Sequence, residues 1–184
     1  SLEPSGAETV VSNGRYLLEF DAQRGGVRSL YDKQLKWEWV DATAGRPLHS
    51  FVHETLADPN DPEPHERLYH IDYSTTLDSP TGWQPRWAAA RTGPTAVRSH
   101  KVYRTPLGVA VEQELEHPAV RHLAQRVFLP ALGDYIDCEA EWDMGAGDYP
   151  EATYVLFPFN LRGATGRLNV GGVQIVQGRD QLRA

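Results

Sequence analysis

The clearest indication of the fold class is in Gly133–Leu161, GDYIDCEAEWDMGAGDYPEATYVLFPFNL. Apolar and acidic side chains alternate between Ile136 and Asp143, and this period of two predicts a strand with one dry face and one wet face. After a break that contains glycine, nearly every residue from Ala152 to Leu161 is apolar, which predicts a strand covered on both faces. Pro158 indicates a bulge or the end of that strand. An amphipathic strand beside a buried strand implies stacked sheets, so we expect an all-β, antiparallel β-sandwich.

Outside this stretch, pairs of alternating segments predict β-hairpins. Arg15–Phe20 and Val27–Tyr31 flank the turn DAQRGG, whose two glycines are free to take positive φ. Ala96–Arg104 and Gly108–Glu116 form a second pair. The segment Ala119–Leu129 is open between helix and strand, because its apolar residues fit a helical period while its length and its neighbours suit a strand.

The whole chain, residues 1–184, is expected to form a single β-sandwich domain. At this length roughly 70% of the unfolded surface can be buried, so the core requires no disulfide or metal. The polar residues 1–9 predict a loose leader. The segment 57–66, ADPNDPEPHE, predicts an exposed loop because its prolines exclude regular structure.

Charge and composition narrow the class of partner. Lys and Arg total 18 against 25 Asp and Glu, which gives a net charge of −7 and argues against nucleic acid or an anionic membrane. No apolar run is long enough to span a bilayer and no signal peptide is visible, so a cytoplasmic location is favoured. Since Met144 is the only methionine, we expect Ser1 to follow a processing site or a cut in a longer protein.

The histidines and the thiol predict no catalytic or metal site. His65 and His70 are five residues apart beside prolines, which is not the i, i+4 spacing of a helical zinc motif. His70 and Asp72 have strand spacing, but two ligands are too few for zinc. The single cysteine, Cys138, falls on the dry face of its strand, which favours a small buried hydrophobe over a nucleophile. We therefore expect neither catalytic nor metal-ligating residues in this chain.

Two rows of carboxylates have the residue type that glycoside hydrolysis uses in pairs. One row runs from Asp137 to Asp143 on one strand face, and the other runs from Glu112 to Glu116. Alternating acids are more typical of a solvated sheet face, where they pair with arginines on neighbouring strands. We prefer that second interpretation for both rows.

Aromatic side chains give the candidate binding site. Of the five tryptophans, Trp83 and Trp87 stand next to the turn residues Gly82 and Pro85. An indole ring in a loop can stack on the apolar face of a sugar, although tryptophan more often packs in a core. Trp83 and Trp87 are therefore the carbohydrate-binding candidates.

Several stretches, in order along the chain, resemble the C-terminal β-domain of the family 38 glycoside hydrolases, the α-mannosidases. The opening hairpin, with its Gly-Gly turn and its SLYDK strand, is similar to the start of that domain, and PEATYVLFPFNL is the most specific match. RPLHSFVHE departs from the family pattern, because His49 and His53 stand where Gly and Tyr are more usual. The resemblance is carried by Val10–Asp41, Arg46–Glu54, Arg126–Asp143 and Pro150–Leu161.

The resemblance implies a galactose-mutarotase-like supersandwich, here an incomplete fragment, and it favours a strand for Ala119–Leu129. In the family, the zinc ligands and the aspartate nucleophile lie in an N-terminal barrel whose motifs have no match here. The resemblance therefore implies no catalytic residue and no cofactor in this chain, with zinc expected in the missing catalytic domain. The implied function is a non-catalytic β-domain that scaffolds the barrel of an α-mannosidase-like hydrolase and helps to shape its sugar site.

Two other functions stay open. A free-standing carbohydrate-binding module would use Trp83 and Trp87 as surface platforms. A sugar epimerase of mutarotase-like fold would need a histidine and a carboxylate that converge on one concave sheet face. The seven histidines are scattered along the sequence, and a structure in which all of them are dispersed or on the rim would exclude this reaction.

Overall fold

A computed structural model describes residues 3–57, 88–145, 151–161, 163–165, 167–170 and 173–176. Over these ranges the protein is all-β with antiparallel pairing, and its helical structure is a short 3-10 turn at Ala42–Ala44. Most of the segment 57–66 lies outside the described residues, so the prediction of a loop there stays a prediction.

The strands form four antiparallel sheets. The first sheet has the order β1-β2-β3-β4, with β1 (Val10–Ser12), β2 (Tyr16–Phe20), β3 (Val27–Asp32) and β4 (Trp37–Glu38). The second has the order β10-β9-β8-β7, with β7 (Ala96–Thr105), β8 (Gly108–Glu116), β9 (Val120–Pro130) and β10 (Asp137–Met144). The third has the order β11-β5-β6, with β5 (Ser50–Ala57), β6 (Ala88–Thr92) and β11 (Glu151–Leu156). The last is the pair β12 (Arg167–Val170) and β13 (Val173–Val176).

These strands confirm the predicted hairpins and settle the ambiguous segment. β2 pairs with β3, and β7 pairs with β8, as their alternating sequences predicted. Ala119–Leu129 lies almost entirely in β9, which pairs with both β8 and β10. The buried side chains fall at every second position, Leu123, Gln125, Val127 and Leu129, so the period of two decides over the helical one.

The first two sheets face each other across a common core, which is the arrangement of a β-sandwich. One apolar cluster joins side chains from both sheets, namely Val11, Leu18, Phe20, Val27 and Leu30 with Val102, Val111, Val127 and Leu129. At the other end of the same inner face, Phe51 of β5 packs against Leu115 and Leu123. The inner face of β7–β10 is therefore covered at one end by the first sheet and at the other end by β5.

The turn between β2 and β3 is hydrogen-bonded to the second sheet. Gly25 and Gly26 have φ of 73° and 78°, a conformation that glycine adopts without steric cost. A Cβ on Gly26 would stand 2.8 Å from the carbonyl oxygen of Leu48, so a larger residue does not fit. The amide of Gly26 donates to Oε1 of buried Gln113 on β8 at 2.9 Å. A conformation that needs glycine thus brings the turn within hydrogen-bonding distance of the neighbouring sheet.

The N-terminal residues differ from the expected loose leader. The Ser5 amide donates to the Val102 carbonyl at 2.7 Å, and the Val102 amide donates to the Gly6 carbonyl at 2.9 Å. Glu8 is ion-paired with Arg104 further along β7. Residues 5–8 therefore lie along the edge of β7. The polar sequence gave no sign of this, because the pairing uses backbone groups that every residue except proline carries.

The predicted burial of Ala152–Leu161 on both faces is wrong for the described structure. β11 ends at Leu156, close to Pro158 as predicted, and it is an edge strand of its sheet. Beyond β11 the chain bonds to the segment after β4, where the Asp41 amide donates to the Pro158 carbonyl at 2.8 Å. Apolar side chains along this segment stay 43–52% exposed, namely Tyr154, Phe157, Phe159 and Leu161. A continuous apolar run indicates hydrophobic surface, but it does not say what covers that surface.

Candidate functional site

Several residues singled out in the sequence fall outside the described structure. They are Trp83, Trp87, His65, His70 and Asp72. The carbohydrate-binding role of Trp83 and Trp87 therefore stays a prediction. The other chemically interesting residues are described, and the structure brings some of them together.

Cys138 has the surroundings of an inert thiol. It is half-buried on the inner side of β10, packed against the apolar cluster between the first two sheets. Burial, together with the nearby charge of Asp137, raises the pKa of the thiol to about 11. At neutral pH the group stays protonated, and a thiol is a much weaker nucleophile than a thiolate. This agrees with the interpretation of Cys138 as a small hydrophobe.

The acid row of β10 lies on the solvent face, as expected. Asp137, Glu139, Glu141 and Asp143 are all exposed. Arg126 on the neighbouring strand contacts Glu139, with Nη1 and Oε2 3.3 Å apart, and also lies 3.6 Å from Oε1 of Glu112. The carboxylates thus pair with an arginine across strands, which is the solvated-face arrangement.

Two histidines, a glutamate and a threonine meet where the third sheet packs on the second. Nε2 of His53 on β5 lies 2.7 Å from Oε2 of Glu151 on β11. The imidazole of His117, which follows β8, stands edge-on to His53 with ring centroids 5.6 Å apart. Nε2 of His117 contacts Oγ1 of Thr92 on β6 at 3.1 Å. We call these four residues the histidine cluster.

Strand register explains how the cluster forms. In the antiparallel pairing of β5 and β11, Thr153 stands opposite His53, and Glu151 lies two residues from Thr153 on the same face. Thr92 stands opposite His53 on the other side of β5. Sequence reasoning missed the cluster, because His53 and Glu151 are 98 positions apart and only the register of non-adjacent strands joins them.

Hydrogen bonding assigns the protonation state of His117. Its Nδ1 accepts from the Ala119 amide at 3.1 Å, so a neutral ring carries its proton on Nε2 and donates to Thr92. Burial and the neighbouring His53 lower the pKa of His117, which favours this neutral form. His53 donates its Nε2 proton to the carboxylate of Glu151. A carboxylate–imidazole pair of this geometry can transfer a proton as a general acid or base.

The opposite side of β5 carries a second polar group. Glu54, next to His53 in sequence, is only 6% exposed. Its carboxylate accepts from Arg91 and, at 3.2 Å, from the hydroxyl of Tyr154. The bond to Glu54 raises the pKa of Tyr154. Since neighbouring residues of a strand face opposite sides, Glu54 belongs to a different surface from the histidine cluster.

An apolar cleft lies where the first sheet, the start of β10 and the segment after β11 approach one another. Its volume is about 330 Å³. The carbonyl of Trp39 accepts from the Asn160 amide at 2.7 Å, which holds the segment after β11 beside the first sheet. The cleft is lined by Tyr16, Leu30, Trp39, Ile136, Phe159 and Leu161.

The described residues hold neither a metal-binding group nor a membrane-spanning helix. In the described ranges, no group of three or more His, Cys, Asp or Glu side chains is placed to hold a metal ion. Over the same part of the chain, no helix has the length and apolar character needed to cross a membrane. Comparison of the chain with protein-family models, curated proteins and solved structures gives no significant match.

Proposed function

We propose that this chain is the non-catalytic β-domain of an α-mannosidase-like glycoside hydrolase, with a galactose-mutarotase-like supersandwich fold. It packs against a zinc-dependent catalytic barrel and helps to shape the sugar site of that barrel. The observation that carries the proposal is the apolar cleft. Its lining comes from three of the stretches that resemble the family, the opening hairpins, the start of β10 and the segment after β11.

The exposed aromatic residues beside the cleft support a contact with another domain. Phe157 and Phe159 stack on each other with ring centroids 6.2 Å apart, and both are more than 40% exposed. Leu161 continues the same surface and is 52% exposed. Contiguous exposed apolar patches mark surfaces that contact another protein or domain. We assign this surface to the barrel, and we place the zinc and the nucleophile in the barrel.

The proposal is tested by hydrolysis of an aryl α-mannoside with zinc supplied. The chain is measured alone and joined to the protein segment encoded directly upstream of Ser1. We expect turnover from the longer protein and none from the chain alone. In the longer protein, Leu161→Asp should lower activity several-fold, because it places a charge in the apolar contact.

Leu35→Asp is the matched control. Leu35 is 58% exposed and does not line the cleft, so the same substitution there should leave turnover unchanged. Turnover by the chain alone, or an upstream segment that contains no zinc-binding barrel, overturns the proposal. Equal activity in the two leucine variants would remove the cleft from the argument.

A second candidate, sugar epimerisation, is favoured by the histidine cluster. It supplies the converging imidazole and carboxylate that this reaction requires, with His53 and Glu151 2.7 Å apart. The side chain of His53 is only 7% exposed and that of Glu151 is 24% exposed, so a substrate would reach the pair from the glutamate side. This candidate is tested by polarimetry of freshly dissolved galactose, which follows the rate at which the anomers equilibrate. Faster equilibration that is lost in His53→Asn supports this candidate, and equal rates with and without protein reject it.

A further inference from the structure

The outer face of the sheet β7–β10 has a polar ridge that crosses all four strands. Glu139 on β10 stands opposite Arg126 on β9, and Arg126 stands opposite Glu112 on β8. Glu112 stands opposite Lys101 on β7. Arg126 is ion-paired with Glu139 on one side and with Glu112 on the other. These contacts place charged donors and acceptors next to one another across the middle of the face. We call this row the ridge.

On one side of the ridge is an aromatic hollow. The adjacent register row contains Asp137, Phe128, Ala110 and Tyr103, on β10, β9, β8 and β7 in that order. Ala110 contributes only a methyl group between the rings of Phe128 and Tyr103. The resulting cavity has a volume of about 490 Å³. It has apolar walls with the carboxylates of Asp137, Glu139 and Glu112 at its rim.

On the other side of the ridge is a more polar hollow. Its register row contains Glu141, Ala124, Glu114 and Ser99 on the same four strands. Ala124 and Ser99 are small, and the carboxylates of Glu141 and Glu114 stand beside them. This second cavity has a volume of about 450 Å³. Small residues on β8 and β9 therefore create two hollows of similar size with the ridge between them.

The charges and the shape select one class of ligand. Carboxylates outnumber cations on this face, which disfavours phosphates, sulfates and acidic sugars. Volumes of this size suit small molecules, and binding cavities combine apolar or aromatic walls with a few placed polar groups. A neutral sugar ring has an apolar face for Tyr103 or Phe128 and hydroxyls on its edge for the carboxylates and Arg126.

We propose that the outer face of β7–β10 binds a neutral oligosaccharide, with one sugar ring in each hollow and hydroxyls of the intervening unit on the ridge. Ala110 and Glu114 are four residues apart on β8, so the two hollows are about 13 Å apart. A monosaccharide cannot reach both, and the ligand is therefore an oligosaccharide. This inference goes beyond the proposed scaffold role, and it stands without it. It assigns carbohydrate binding to residues other than the sequence-predicted candidates Trp83 and Trp87.

Titration calorimetry with neutral linear hexasaccharides, one of α-linked mannose and one of β-linked glucose, tests the proposal. At least one should bind, and the matching monosaccharide should bind at least tenfold more weakly. Tyr103→Ala removes an aromatic wall and should weaken hexasaccharide binding at least tenfold. Ala110→Val fills the aromatic hollow without removing any contact group and should weaken it similarly.

Arg98→Ala is the control on the same sheet. Arg98 is exposed, pairs with Glu116 and lines neither hollow, so its removal should leave affinity unchanged. Thermal melting of each variant shows that the fold is intact. If the Ala110→Val and Tyr103→Ala proteins are both unstable, Phe128→Ala and the volume-filling Ala124→Val replace them in the same comparison.

Three results would overturn the proposal. The first is no heat change with either hexasaccharide at millimolar concentration. The second is binding that Tyr103→Ala and Ala110→Val leave unchanged. The third is salt-sensitive binding of hexalysine without binding of either hexasaccharide, which would make this face a docking surface for a basic protein segment. None of these results bears on the α-mannoside assay, so the two proposals fail separately.

Discussion

The edge strands β10 and β11 lie in the same short stretch of sequence but have different surroundings. β10 has one side packed inward through Cys138 and Trp142, and its other side carries the exposed acid row. β11 and the segment after it are half-exposed along most of their length, and the exposed side chains are apolar. Within this chain, β10 therefore has one buried face and one solvent-exposed face. The apolar segment after β11 has a surface that a further contact would complete.

The largest expected effect is a difference in stability between two variants, one with a carboxylate on β10 and one with a carboxylate after β11. Trp142 packs against Phe51 with ring centroids 5.6 Å apart. Trp142→Asp removes that packing and partly buries a charge, so it should lower the free energy of unfolding by roughly 3–5 kcal/mol. Phe159, which is 45% exposed, should tolerate the same change with a loss within about 1 kcal/mol. Urea denaturation measures both values. Equal losses would contradict the distinction between the two segments.

The next effect concerns His49, which stacks on Phe157 with ring centroids 5.8 Å apart. His49 is 1% exposed, and burial lowers its pKa from 6.5 to about 4. In the unfolded chain the ring takes up a proton near pH 6.5, whereas the folded protein resists protonation down to about pH 4. The contribution of neutral His49 is therefore complete above pH 6.5 and falls as the pH drops through this window, by about 3 kcal/mol in total.

The variant His49→Asn isolates this titration. His49 has a φ of 61°, and asparagine tolerates that left-handed conformation better than most residues. We expect the variant to lose stability less steeply than the wild type between pH 6.5 and pH 4.5 in urea denaturation. A variant with the full wild-type slope would show that other groups account for the acid sensitivity.

The smallest expected effect is on the wet side of β10. Arg126→Gln removes both cross-strand ion pairs, with Glu139 and with Glu112. The three side chains are 45–65% exposed, so water already solvates the charges and the loss of stability should be below about 1 kcal/mol. Thermal unfolding at low and high salt checks this. A loss above about 2 kcal/mol would mean that the acid row contributes to folding and is more than a solvated surface.

Local alternation predicted a large part of the fold. β2, β3, β7, β8 and β10 appear where the period of two placed them, because each has one buried and one exposed side within the chain. The error over Ala152–Leu161 has a physical cause. An apolar run indicates that its side chains are more stable out of water. Burial on both sides within the chain and contact with another protein surface both meet that requirement.

The candidate sites were less accessible to prediction. The histidine cluster depends on β5 lying between β6 and β11, which no local pattern encodes. The two hollows of the outer face depend on which residues stand opposite one another on four strands. Ala110 and Ala124 are ordinary strand residues in sequence, and they become cavity floors only because larger side chains flank them in register. The acid row was visible in the sequence, whereas the cavities on either side of the ridge were not.

The short N-terminal arm has a consequence for how the protein behaves at high concentration. Ser5 and Gly6 occupy the backbone donors and acceptors at the outer edge of β7, around Val102. An open strand edge is a template on which another chain can add by the same hydrogen bonds, and such addition leads to aggregation. A protease that trimmed the first nine residues would uncover this edge. We therefore expect a protein without residues 1–9 to aggregate at a lower concentration than the protein that keeps them.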